Sequence, residues 1–104
     1  MIRIHFRTRQ EQLIGFRIDG HAGAGTAGED IVCAAVSSAA YMAANTLTEV
    51  LSLPADITVE DGLMDLTITG DATAAQAILS GLRLHLTALH EEYPRRVHPI
   101  ITEV

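Results

Sequence analysis

The hydropathy pattern predicts an α+β domain of order β-β-α-β-β-α-β, a mixed or antiparallel sheet packed with two helices. Three observations carry that expectation. Three stretches alternate between apolar and polar residues, one long run is apolar or small all round and a later one repeats apolar residues at helical spacing, and a glycine-rich segment separates the first strands from the first helix. With 104 residues, 48% of them hydrophobic, the chain is expected to fold as a single domain over 1–104.

Ile2, Ile4 and Phe6 alternate with Arg3, His5 and Arg7, which predicts a half-buried strand. After a polar stretch over 8–12, an extended run over 13–19 can fold back on it. Residues 20–28 hold four glycines in nine positions and read as a loop. From 30 to about 51 good helix formers dominate, with Asp30 a plausible N-cap and Pro54 just beyond the end. Two short alternating runs, 57–60 and 63–69, flank Asp61-Gly62, a short-range hairpin signal. Thr73 and Gln76 fit a capping box, and Ala75, Ile78, Leu79, Leu82, Leu86 and Leu89 then share one helix face up to about Tyr93. Pro94 ends that helix, and 97–104 reads as a last strand that Pro99 confines to an edge or bulge.

Composition excludes several functions. Seven Arg, no Lys and thirteen acidic residues give a formal charge of −6, the wrong sign for gripping a phosphate backbone, so no direct nucleic-acid partner is expected. No stretch is read as approaching the ~18 uncharged apolar residues that span a bilayer, so no membrane partner is expected. The opening Met1-Ile2-Arg3-Ile4-His5-Phe6-Arg7 lacks the apolar core of a secretory signal and Cys33 is the only cysteine, which together point to the cytoplasm.

Three constellations bear on chemistry. Gly23-Ala24-Gly25-Thr26-Ala27-Gly28 spells G-x-G-x-x-G, yet the acidic candidates Glu60 and Asp61 come too late, and the chain is too short for a dinucleotide fold. His5, His21, His85, His90, His98 and Cys33 lack metal-ligand spacing, so neither a metal nor another cofactor is expected. The third is Cys33 with His21. With Asp30 as N-cap, Cys33 would be the third helical residue, where unpaired N–H groups and the helix dipole favour a thiolate. His21, across the loop, is placed to act as general base. The competing reading makes Cys33 a small packed hydrophobe. Asp30 either caps the helix, orients His21 or binds substrate. Ser37, one turn after Cys33, either bonds to the thiolate or to a substrate carbonyl, or back-bonds to its own helix. Gly28 is either a hinge for the loop or a tight turn.

The string Gly20-His21-Ala22, followed by Gly28-Glu29-Asp30-Ile31-Val32-Cys33-Ala34-Ala35-Val36-Ser37, resembles the signature of the ribosomal-processing cysteine protease family, Prp. Length, element order and the Glu91-Glu92-Tyr93 helix end agree with that family along essentially the whole chain. The resemblance implies a homodimeric endopeptidase with Cys33 and His21 as its dyad and a mobile linking loop. It implies a substrate too: the precursor of ribosomal protein twenty-seven of the large subunit, from which the family removes a short N-terminal extension. The alternative from another class is a non-catalytic, dimeric, ribosome-associated module. Leftover aliphatic surface, with only four aromatics in the chain, also favours a homodimer.

Overall fold

The computed structural model describes residues 1–20, 27–98 and 100–103, with backbone alone at 27–30, 101 and 103. Strands β1 (Ile2–Arg9) and β2 (Gln12–Gly20) form the first hairpin, with Phe6 opposite Phe16 and their ring centroids 6.3 Å apart in the core. Arg9 pairs with Gln12, which leaves a two-residue turn. Its residues Gln10 and Glu11 have φ of 51° and 66°, the left-handed backbone of a type I′ turn. The sequence reading has a polar stretch over 8–12 there, so the turn is tighter than that stretch suggests. The register shifts after Arg7: Arg7 faces Gly15 while Thr8 faces Leu13, so Ile14 is the extra residue of a bulge, and Leu13 and Ile14 are both buried.

Strands β3 (Ala55–Glu60) and β4 (Leu63–Ile68) meet around Asp61 and Gly62, where Gly62 takes a φ of 73°. The sheet order is β3-β4-β2-β1-β5. The short β5 (Ile101–Glu103) runs parallel to β1 and the other pairs are antiparallel, so the sheet is mixed as expected. The last strand is shorter than the sequence suggested, since Val97 only bridges to Ile2 before β5 begins. Pro99 and Val104 lie outside the described residues.

Helix α1 (Ala27–Asn45) continues into a π-helical turn, Thr46–Val50, and α2 (Gln76–Glu92) follows a 3₁₀ turn, Thr73–Ala75. Both cover one face of the sheet. α1 buries Val32, Val36, Ala40 and Ala43, and its π-helical extension adds Leu47. α2 buries Leu79, Leu82 and Leu86, with Ile78 and Leu89 packed at the margin. The 3.6-residue period of α2 therefore maps onto its buried stripe. The segment Ile31–Val50 has the length and mean hydropathy, 1.3, of a membrane span, contrary to the expectation that no stretch comes close. About a third of that window is buried: Val32, Val36, Ala40, Ala43 and Leu47 pack into the core, while Ile31, Met42 and Val50 stay exposed.

Two local expectations are corrected. The helix begins at Ala27, so Asp30 lies inside its first turn rather than capping it. Thr26-Ala27-Gly28-Glu29 is itself a capping-box pattern for a start at Ala27. The Thr73/Gln76 box does not form either. Asp71 Oδ1 accepts from the Thr73 N–H at 3.0 Å and its hydroxyl at 2.7 Å. Gln76 instead clasps the bulge: its Oε1 accepts from the Leu13 N–H at 2.9 Å, and its Nε2 donates to Leu13 O and Ala72 O, both at 2.8 Å. A buried backbone left unpaired by the bulge outcompetes the local cap.

The opposite sheet face is polar. Arg7 grips Asp65 through two nitrogens at 2.6 and 2.9 Å, Arg17 reaches Asp65 at 3.4 Å and Asp19 at 3.2 Å, and Arg3 reaches Asp19 at 2.7 Å. Four of the seven arginines lie on the first hairpin.

Candidate active site

Gly20 ends β2 with a φ of +96°, and its N–H donates to Gly62 O at 2.9 Å. A Cβ built there would lie 2.3 Å from Met1 O, so only glycine fits between the chain start and the tip of the β3–β4 hairpin. This clamp sets the strand end beside α1. Cys33 is half-buried, in no disulfide, and is the seventh residue of α1 rather than the third. The helix start is therefore about 9 Å upstream of it. The dipole argument weakens accordingly, because the effect fades beyond the first turn.

Cys33 opens onto a groove of about 550 Å³ between α1 and the β3–β4 hairpin. Ile2, Ile18, Met64, Val36 and Ala40 give it an apolar floor. Ser37 and Tyr41, four and eight residues after Cys33, line it along the helix, and residues 59–64 form the facing wall. Ser37 Oγ makes no hydrogen bond among the described residues, so the back-bonded reading does not hold, whereas Thr46, Thr48 and Thr87 do bond back to the carbonyls four residues earlier. Glu60 and Asp61 sit at the rim and meet no cation among the described residues. The groove mouth is acidic, with the paired arginines on the far sheet face.

Of the residues singled out from sequence, the structure brings Gly20, Cys33 and Ser37 to this groove. Gly28 and Asp30 fall in the first turn of α1. His21 lies outside the described residues, as do 22–26 of the glycine loop. His90 has a packing role, its Nδ1 donating to Val97 O at 2.7 Å. Sequence reasoning missed Tyr41 and the hairpin wall. The signal for Tyr41 was its spacing, two successive four-residue steps from Cys33 by way of Ser37.

A half-buried helix thiol beside a groove with an apolar floor and an acidic rim, in a two-layer α+β domain, gives a nucleophile a place to meet an extended substrate. The family model for cysteine protease Prp matches residues 1–98, and the chain belongs to that family. It is a cysteine protease. A comparison with curated protein sequences gives no match. Among solved structures it is similar to SMU.848 from Streptococcus mutans, with 29% identity and a TM-score of 0.84 over 99% of this chain and 96% of that one. It is also similar to the essential ribosomal processing protease Prp from S. aureus in complex with a covalently linked product peptide. That match has 27% identity and a TM-score of 0.86 over 99% of this chain and 100% of that one. The same S. aureus protein in complex with a substrate peptide matches at 27% identity and a TM-score of 0.85 over the same shares.

Proposed function

We propose that this chain is a cytoplasmic endopeptidase that removes the N-terminal extension of ribosomal protein twenty-seven of the large subunit, with Cys33 as nucleophile and His21 as general base. One observation carries the residue assignment: Gly20 and Cys33 line the same groove, and His21 is bonded directly to Gly20. The S. aureus relative, with its bound substrate and product peptides, supports a peptide occupant.

The thiol proton passes to His21 as Cys33 Sγ attacks the scissile carbonyl. His21 then gives the proton to the departing amine as the C–N bond breaks, leaving an acyl thioester that water hydrolyses to release the carboxylate and restore the thiol. The helix-start N–H groups are too far upstream to serve the carbonyl at Cys33 directly. Ser37, one turn along the groove, presents an unengaged hydroxyl to a substrate carbonyl instead. The acidic rim suits a basic substrate, as ribosomal proteins usually are. Cys33→Ala and His21→Ala are each expected to abolish cleavage of the precursor, read by product mass, with an unchanged circular-dichroism spectrum. Turnover retained in either variant removes that residue from the mechanism.

The reading includes a homodimer. Ile31, Met42 and Leu84 are exposed on the helix layer, and an apolar groove between α1 and α2 is lined by Ala35, Ala39, Met42, Gly81 and Leu82. Light scattering at micromolar concentration is expected to give twice the chain mass, and a stable monomer overturns the dimer.

A further inference from the structure

We propose that Tyr41 is a specificity-determining residue, whose ring packs against the substrate side chain lying three to four residues from the scissile bond. The inference rests on the protease reading above and deepens it.

Cys33, Ser37 and Tyr41 recur every four residues on α1, and all three line one groove. They therefore form a stripe along its length. Eight residues of helix advance about 12 Å, and an extended peptide advances about 3.3 Å per residue. A peptide lying along this stripe with its scissile carbonyl at Cys33 brings a residue three to four positions away level with Tyr41. A groove of about 550 Å³ is ample for side chains over that span.

The state of Tyr41 fits such a role. It is 47% exposed, outside the core that Val36 and Ala40 build from the same helix, so packing within this chain does not account for it. Its hydroxyl makes no hydrogen bond among the described residues. The neighbouring groove lining is largely apolar, with Val36, Ala40 and Val59 among it, so an aromatic ring there offers area rather than charge. The ring is assigned a contact that is the same in the ground and transition states, and such uniform binding acts on KM and leaves kcat alone.

The experiment uses the full chain and peptides spanning the cleaved bond of the ribosomal-protein precursor, with each residue up to six from the bond replaced in turn by alanine. Tyr41→Ala is expected to lower kcat/KM about ten-fold on the parent peptide, through KM. That loss shrinks to less than about two-fold only in peptides carrying alanine three or four residues from the bond. Tyr41→Phe stays near wild type, since the ring supplies the contact. Iodoacetamide should alkylate Cys33 at the same rate in all three proteins, which shows that site and fold are intact. A loss spread evenly over all peptides, a loss coupled to the residue beside the bond, a Tyr41→Phe as poor as Tyr41→Ala, or no loss at all each overturns the assignment. A wild-type chain that cleaves none of the peptides overturns the ribosomal-protein substrate proposed above, and this inference with it.

Discussion

Two glycines show how single residues set the site. At Gly15, on the β2 side facing β4, a Cβ would sit 2.0 Å from Leu66 O, so β2 and β4 close up only because that side chain is missing. Gly20 combines a φ of +96° with a contact to Met1 O that any side chain would violate. It belonged to a functional motif when read from sequence. The geometry adds a structural reason, since it locks the strand end next to His21 against both the chain start and the hairpin tip. Gly20→Ala is expected to cost about 2 kcal/mol from the unfavourable φ and the forced backbone shift, lowering the thermal midpoint by about 10 °C. An unchanged midpoint shows that Met1 yields freely and that the clamp does not hold the site.

Among the elements, the first hairpin is the least economical. Gln10 and Glu11 both occupy the left-handed region that a type I′ turn demands, at about 1 kcal/mol each for a residue with a Cβ. Replacing the pair by Asn-Gly keeps the turn and relieves most of that cost, so the double variant is expected to gain about 1–2 kcal/mol in urea unfolding with an unchanged slope. A loss of stability would mean that the exposed side chains, not the backbone, decide this turn. The same turn shows what sequence reading can reach. Alternation in β1, β3 and β4 and the period of α2 are local, and each was legible. The bulge at Ile14, the reassigned Gln76 and the start of α1 at Ala27 were not, apart from the overlooked Thr26/Glu29 pattern. The first two are settled by contacts between segments more than 60 residues apart, such as Gln76 with Leu13, which no local window contains. At the site, Cys33 and Ser37, singled out by their spacing, and Gly20, singled out by the family resemblance, line one groove. Tyr41 and the hairpin wall emerged only once α1 was laid across the sheet.

For the molecule as a whole, an uneven distribution of charge matters more than the net value. Helices shield one face of the sheet, and the other is held by carboxylates bridged by arginines. Asp65 is kept below the usual carboxylate range, first by its hydrogen bond from Arg7 and then by the Arg7 and Arg17 charges, which together outweigh partial burial. For Asp19, burial is the largest single influence and acts upward, yet the combined hydrogen bonds and charges of Arg3 and Arg17 bring it below its ordinary value. Asp71 is lowered by the Thr73 hydroxyl and N–H. All three shifts have the same sign: the folded carboxyl is more acidic than the unfolded one. The stability they contribute is therefore fully present above the unfolded value of about 3.9 and is lost as pH falls through the folded values. Urea unfolding should show a plateau above about pH 5 and a decline below about pH 4. Asp65→Asn separates the arginine bridge from the rest. At neutral pH the variant should be less stable by about 1–2 kcal/mol, more than a surface pair because the Arg7 contact is two-pronged and partly shielded. As pH falls the wild-type carboxyl protonates and the two proteins converge. A difference that persists unchanged at pH 2 would mean that the cost lies in packing rather than in charge, and that this sheet face is not held by its ion pairs.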